Sequence, residues 1–423
     1  MKKIIFILLI IAISLPLYAQ KNDQENVPKK TFSFARQSFE IGIDAGLGFD
    51  NNLVKVGDLL DPDKQIDGKA IIDLNEFAGR LGDNGLNLNA AVDTGFYVNL
   101  LNINLFGSKW ELGIFAGADG NINFNLPKSL FTLVSEGNVN QTLFTGNISA
   151  TGGIYADVGV RASGKFGKLR IGATPSVFAP LIYIPRTGID FTLNTDTNEG
   201  LSFDADGGIS IYSPFSQLFD DNLNIQNVSS INLGFDISAH AQLDLFPFLD
   251  VGGSISNIPV IPAKMKDRLA VSLDYEIPPT TISTIIDGGL EIPEFGDETL
   301  VYGYRSDSEV FVVRPLRFDV FTRYKPFSNE FIVIRPNIGM SIDINNKEPL
   351  FNTGIGVQLN IVDLLIINIG TDYTETIWTH HAGLALNLRF FELNLRASLR
   401  SSDFKSSFDA QGFGFNAGVR FGF

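Results

Sequence analysis

The last strand of the chain shows the feature that constrains the fold most, a strict alternation of apolar and polar residues. From Gly412 to Phe423, phenylalanine, alanine and valine alternate with glycine, asparagine and arginine. A period of two is that of a β-strand, whose successive side chains point to opposite faces. One face is wholly apolar and the other is small, polar or charged. That pattern is typical of a barrel strand with lipid on one side and a lumen on the other.

The same alternation recurs in segments 39–49, 231–245, 332–344 and 392–400. Many of these runs have about ten residues, the length that a tilted strand needs to cross a bilayer. A soluble β-sandwich also alternates, but its strands are nearer five or six residues long, and its polar surface would need more charge than the 19% present. The sequence therefore predicts an all-β fold: a transmembrane antiparallel up-and-down β-barrel over residues 39–423, with about 14–16 strands.

Composition excludes several other classes of protein. The 423 residues include no cysteine, which removes disulfide scaffolds, thiolate metal sites, thiol nucleophiles and an N-terminal lipid anchor. The formal net charge of −15 argues against a nucleic-acid partner, because phosphate contacts need a basic face.

The start of the chain has the pattern of an export signal. Lys2 and Lys3 precede an apolar run from residue 4 to residue 15, which is too short to span a membrane as a helix. Small Ala19 follows at a cleavage position. We therefore predict a cleaved signal peptide over residues 1–19, a short periplasmic segment over 20–38, and a location in the bacterial outer membrane.

Turn signals divide the predicted strands into hairpins, with aromatic residues at the junctions as an interfacial girdle requires. Long connections are predicted near residues 50–85, 126–145, 213–229 and 401–411, and we assign them to the extracellular side, with short turns on the periplasmic side. Two connections look helical, Ile71 to Leu81 and Pro127 to Ser135, the latter with proline in its first turn. The strand-poor segment 278–314 could form a plug, a folded loop or an extra hairpin.

The order of elements resembles that of a known family. The first strand ends in Asp50-Asn51-Asn52, and a short helix around Asp73 follows. The run Asn125 to Leu130 then leads into Glu136-Gly137-Asn138. In these features the chain resembles an uncharacterised family of bacterial outer-membrane β-barrels, which is loosely similar to the FadL long-chain fatty-acid transporters. It differs from those transporters in the short stretch before the first strand and in lacking an Asn-Pro-Ala motif there.

The resemblance implies passage of a hydrophobic small molecule, such as a fatty acid, through a monomeric barrel. Two other functions stay open: a surface or adhesion protein that binds other proteins through its loops, and a general diffusion porin. The expected partners are the lipid bilayer, a hydrophobic ligand and the outer-membrane assembly machinery. The final strand with Phe421 and Phe423 resembles the signal that this machinery reads.

Charged residues on the predicted lumen face are distributed unevenly. The early strands place acids inward, namely Glu40, Asp44, Asp93, Glu111 and Asp119. The late strands place arginines inward, namely Arg317, Arg323, Arg335, Arg389, Arg396, Arg400 and Arg420. Because a closed barrel pairs its first strand with its last, we expect an acid–arginine contact across this seam. The arrangement fits either a site for a ligand carboxylate or a buried network that neutralises itself and stiffens the barrel.

No motif indicates an enzyme, a metal or a cofactor. His240 is predicted on the lumen face near Asp236 and Asp244, but no spacing marks a nucleophile beside it. His380 and His381 are expected in a surface loop beside Trp378, where a third metal ligand is missing. The acidic loop that holds Asp58, Asp61, Asp63 and Asp67 does not have the spacing of a calcium loop.

Overall fold

The strands of the computed structural model are numbered here in chain order. It describes residues 38–53, 65–66, 69–70, 79, 81, 85–105, 107–136, 143–196, 201–214, 232–280, 300–305, 309–327, 330–344, 348–361, 364–374, 377–388, 390–401, 404–408 and 411–422. The strands are β1 (Phe39–Asn51), β2 (Gln65–Ile66), β3 (Lys69–Ala70), β4 (Leu86–Leu105), β5 (Ser108–Leu126), β6 (Leu143–Phe166), β7 (Leu169–Asn194), β8 (Leu201–Tyr212), β9 (Gly234–Phe246), β10 (Leu249–Ile261), β11 (Ala263–Met265), β12 (Arg268–Thr280), β13 (Leu300–Arg305), β14 (Val310–Val312), β15 (Leu316–Tyr324), β16 (Ile332–Asp343), β17 (Glu348–Ile361), β18 (Leu365–Thr374), β19 (Ile377–Leu388), β20 (Phe391–Ser401) and β21 (Gly412–Gly422).

A closed antiparallel barrel of 14 strands forms the body of the protein. Around the wall the order is β1, β4, β5, β6, β7, β9, β10, β15, β16, β17, β18, β19, β20 and β21. The pairing of β1 with β21 closes it, in a register that runs from Glu40 opposite Gly422 to Phe49 opposite Phe413. The predicted fold class and strand number are therefore confirmed.

The two faces of the wall differ as the alternation predicts. On β21 the side chains of Phe413, Phe415 and Phe421 are exposed on the outside, whereas Asn416 and Arg420 are buried inside. Exposed apolar residues cover the outer face of the other strands as well, among them Ile114, Val158, Val320, Ile338, Phe351, Ile355 and Ile369. This continuous apolar exterior suits the hydrocarbon of a bilayer. A soluble protein would not expose so large an apolar surface to water.

Connections at the two ends of the barrel differ in length. Hairpins such as β6–β7 and β9–β10 turn tightly at the end where β1 begins and β21 finishes. The connections between β1 and β4, β5 and β6, β7 and β9, β10 and β15, and β20 and β21 lie at the opposite end and are longer. Two others at that end, β16–β17 and β18–β19, are short.

In the part of the chain that the structure describes, two helices lie in the longer connections. The first, α1 (Lys128–Glu136), starts directly after Pro127, where the sequence predicted a helix. Phe131 of α1 packs against Leu53, Leu81 and Leu86, so this helix lies at the barrel end that carries the longer connections. The second, α2 (Phe404–Ser407), lies between β20 and β21. None of the helices in the described ranges has the length and apolar character needed to cross a bilayer.

The predicted helix at Ile71 to Leu81 and the acidic loop fall almost entirely outside the described residues, as do residues 1–37 with the predicted signal peptide.

A sheet extension projects from the barrel where β7 runs past the end of its pairing with β9. The far half of β7 pairs with β8, which pairs with β12, which in turn pairs with β13. The predicted strand-poor segment 278–314 contributes the end of β12, all of β13, which pairs with β12 as in a hairpin, and all of β14. Asp206 lies directly opposite both Asp190 and Asp274. Because such a row of exposed carboxylates has no place in hydrocarbon, this extension stands in water outside the membrane.

A second extension, which we call the flap, consists of β11 and β14. It continues the β10–β15 ladder but turns inward over the lumen faces of β6, β7 and β9. Ala263, Met265 and Val312 are buried there against an aromatic cluster of Tyr155, Phe178, Tyr183 and Tyr212. At the exposed edge of the flap, Lys264 and Lys266 donate hydrogen bonds that lower the pKa of Glu309 to about 2. The flap fills the lumen on this side of the barrel.

A charge on the outer face tests which side of the wall meets lipid. We expect Ile369→Arg, near the middle of β18, to lower the free energy of unfolding in lipid vesicles by about 2–4 kcal/mol, because it places a charge in hydrocarbon. The neighbouring change Asn368→Arg points into the lumen and should cost far less. Denaturant unfolding followed by tryptophan fluorescence measures both. Equal losses would contradict the assigned faces.

Candidate functional site

The lumen holds a cavity of about 500 Å³ that is the candidate functional site. Its lining comes from β1, β4, β5, β10 and β15 to β21, and none of the lining residues belongs to β6, β7, β8 or β9. Six arginines line it, namely Arg317, Arg323, Arg335, Arg396, Arg400 and Arg420. The acids of the lining are Asp93, Asp319, Glu330, Asp372 and Glu392. The site is therefore a polar, charge-rich chamber rather than an apolar tube.

One charged cluster lies at the barrel seam near the short-turn end. Glu40, Asp44 and Arg420 are all buried on the lumen face, and the register places Arg420 between the two acids. Arg420 Nη1 lies 3.1 Å from Glu392 Oε1 on the adjacent strand. Glu392, which was not among the predicted site residues, shares the inward face of β20 with Arg396 and could have been selected by that alternation. Four buried charges thus lock the first and last strands together.

A second contact crosses the seam toward the long-connection end. Arg400 Nε on β20 lies 3.4 Å from Asp50 Oδ2 on β1, with β21 between the two strands. Gly48 makes this reach sterically feasible, because a Cβ at that position would lie 1.7 Å from Arg400 Nη1. The expected acid–arginine contact across the seam is therefore present here, with Asp50 as its acid.

Arg314 anchors the flap to the wall. Its side chain is only 3% exposed and lies 2.6 Å from Asp157 Oδ2 on β6 and 2.7 Å from Asp236 Oδ2 on β9. It also donates a hydrogen bond of 2.8 Å to Ser176 Oγ on β7, and its guanidinium carbon lies 5.3 Å from the ring centre of Phe178. Sequence reasoning missed this residue, because it follows an irregular segment whose path into the lumen no local pattern reveals.

The other predicted lumen residues occupy several places. Asp93 and Arg396 line the cavity. Asp119 Oδ1 lies 3.7 Å from Arg314 Nη1, so it belongs to the flap anchor. Glu111 pairs with Arg170 at 3.1 Å near a short turn. Arg389 and Phe423 lie outside the described residues, whereas Phe421 is exposed on the lipid face.

The histidines differ in part from expectation. His240 lies on the lumen face, with its ring over Gly172. Asp236 and Asp244 beside it are held by Arg314 and Lys165. The expectation of a surface loop at His380 and His381 is wrong, because both lie within β19. Strand alternation separates the two: His381 Nδ1 contacts Asp372 at 3.0 Å in the lumen, whereas the ring of His380 stacks on Phe408.

Comparison with known proteins identifies the family. Residues 33–421 match DUF5723, a family of unknown function, and the chain belongs to it. Among curated proteins none matches the sequence.

Solved structures with similar folds are the CymD monoaromatic hydrocarbon channel (TM-score 0.50, 8% identity, 94% of each chain covered) and the Ralstonia pickettii toluene transporter TbuX (TM-score 0.49, 8% identity, 92% of this chain and 90% of that one). A Pseudomonas aeruginosa FadL homologue has a TM-score of 0.46 at 9% identity, over 91% of this chain and 90% of that one. The chain therefore has the same fold as the CymD barrel.

Removal of Arg420 tests the seam cluster. We expect Arg420→Ala to lower the free energy of unfolding by about 3–5 kcal/mol, because it leaves three buried carboxylates without their cation. The additional change Glu392→Gln should recover part of this loss. Equilibrium unfolding in detergent measures the single and double variants. An unchanged or larger loss in the double variant would show that the two residues are not energetically coupled.

Removal of Arg314 tests the flap anchor. We expect Arg314→Met to cost about 3–5 kcal/mol and to open the flap to proteases, because the buried Asp157 and Asp236 lose their shared partner. The control Lys165→Met breaks an exposed pair with Asp244 and should cost only about 0–1 kcal/mol. Unfolding and limited proteolysis of the intact barrel provide the readouts. Equal behaviour of the two variants would contradict an anchoring role for Arg314.

Proposed function

We propose that this protein is a channel of the bacterial outer membrane that admits a small molecule with a substantial apolar part. The observation that carries the proposal is a lumen cavity of about 500 Å³ inside a closed barrel with an apolar exterior. A closed barrel satisfies its backbone hydrogen bonds within the wall, and its lumen then offers a route past the hydrocarbon. The predicted signal peptide is consistent with export to that membrane.

The cavity also offers apolar contact. Phe321, Ile366, Ile377 and Ala385 are buried on lumen faces and line the cavity among the polar groups. Ligand sites of this kind combine apolar contact surface with a few placed polar groups. An amphipathic solute therefore fits the lining better than either a pure hydrocarbon or a sugar. The hydrocarbon cargo that the name of CymD states supports a small, largely apolar substrate.

Residues in neighbouring positions of β20 allow a matched test of passage. Asn394 lines the cavity, whereas Leu395 is exposed on the lipid face. We expect Asn394→Trp to reduce transport strongly, because the indole occupies the lumen, and Leu395→Trp to leave transport unchanged.

The measurement is uptake of radiolabelled oleate and of labelled toluene by bacteria that lack their own long-chain fatty-acid transporter. Immunoblots of the outer membrane confirm equal amounts of folded barrel. Uptake of neither probe above the empty host would contradict the proposal. Equal entry of labelled sucrose would instead favour a general diffusion porin.

A further inference from the structure

Two arginines face each other on the lumen side of β15 and β16. The register of these strands places Arg323 directly opposite Arg335, and both residues line the cavity. Like charges directly opposite each other on one face of a sheet are destabilising. A sequence that keeps such a pair must compensate it, either with protein carboxylates or with an anion from solution.

The protein carboxylates nearby are engaged by other basic groups. Arg323 Nη1 lies 3.3 Å from Asp250 Oδ2, and its Nη2 lies 3.7 Å from Glu330 Oε1. Lys325 also forms a salt bridge with Asp250, with Nζ 2.9 Å from Oδ2. Three basic side chains, those of Arg323, Lys325 and Arg335, therefore share two carboxylates.

Of these three basic residues, Arg335 is the one that forms no salt bridge in the described part of the chain. Within the described ranges, no carboxylate lies at salt-bridge distance from it, and its one hydrogen bond is donated by Nη2 to the amide oxygen of Gln358. The Nε–H is buried and has no hydrogen-bond acceptor in the described part of the chain. An uncharged amide oxygen does not neutralise a guanidinium, so Arg335 retains both charge and donor capacity.

Gln358 is held in place by its own neighbours. Its amide nitrogen donates a hydrogen bond of 2.5 Å to Asn360 Oδ1, and the Asn360 amide donates to the backbone carbonyl of Glu330. This chain fixes the amide oxygen that orients the guanidinium. Arg335 is thus a positioned group, unlike a mobile surface arginine.

Open space lies beside the guanidinium. The residue opposite Arg335 on β17 is Gly356, which also lines the cavity. A Cβ built on Gly356 would meet only the carbonyl oxygen of Ile369, at 3.9 Å. A small group can therefore approach Arg335 from the lumen without displacing the wall.

We propose that Arg335, oriented by Gln358 and open toward Gly356, is an oxyanion-binding site in the lumen. A planar guanidinium with free N–H groups suits the paired oxygens of a carboxylate or a phosphate. The ligand is the carboxylate of an organic solute or a free inorganic oxyanion. For an organic solute, this inference rests on the proposed function. It then implies that the polar end of the transported molecule is an anion.

Binding of benzoate and of its uncharged analogue benzamide to the purified barrel in a nonionic detergent tests the site by calorimetry. We expect saturable binding of benzoate and at least about tenfold weaker binding of benzamide, since the charge-assisted hydrogen bonds are lost. Arg335→Gln should weaken benzoate binding by about tenfold or more. The control Arg170→Gln removes a paired arginine away from the cavity and should not change it.

A second variant adds a carboxylate to the site. Gly356→Asp leaves Arg335 in place and supplies an internal anion, so it should abolish benzoate binding while the barrel keeps its heat-modifiable gel mobility. This variant also tests the proposal if Arg335→Gln does not fold. Displacement of benzoate by inorganic phosphate would identify a general oxyanion site, and lack of displacement a site for organic carboxylates.

Equal binding of benzoate and benzamide, or undiminished benzoate binding in Gly356→Asp, would overturn the proposal. Because calorimetry needs no transport, the two proposals can fail separately. Benzoate binding in a barrel that takes up neither oleate nor toluene would reject the channel and keep the site.

Discussion

Closure of the backbone hydrogen-bond network is the constraint on which this structure depends. A strand edge in hydrocarbon leaves its amide and carbonyl groups without partners, so the wall must return to its starting strand. The pairing of β1 with β21 meets this requirement. It also brings an acidic strand beside an arginine-bearing one, and the charged seam follows from that juxtaposition. The extension of β8, β12 and β13 can end without such closure because it stands in water.

Sequence alone predicted what the period of two controls. It predicted the faces of β21, the even strand number within its range, the helix after Pro127 and the inward position of Arg400 and Arg420. It did not predict that Asp50 meets Arg400 or that Glu392 meets Arg420, because the stagger between strands decides both contacts. Local patterns also placed His380 and His381 in a loop, although the hairpin that holds them turns tightly and leaves both in a strand.

The flap illustrates a different limit. β11 and β14 are three-residue strands that continue a wall ladder, and nothing in their composition states that the ladder turns inward. The turn depends on contacts distant in sequence: Arg314 with Asp157 and Asp236, and Val312 with the aromatic cluster. Each of these partners occupies an inward position in its own strand, as the alternation predicts, but only the closed barrel brings them together.

The flap also makes the lumen eccentric. It fills the half of the barrel bounded by β6, β7 and β9, and the cavity is left against the opposite wall, from β10 and β15 round through the seam to β5. Sequence variation in the two halves should therefore have separate effects. Changes on the filled side alter the rigidity of the barrel, whereas changes on the seam side alter which solutes fit, so related chains can acquire new selectivity without altering the half that holds the fold together.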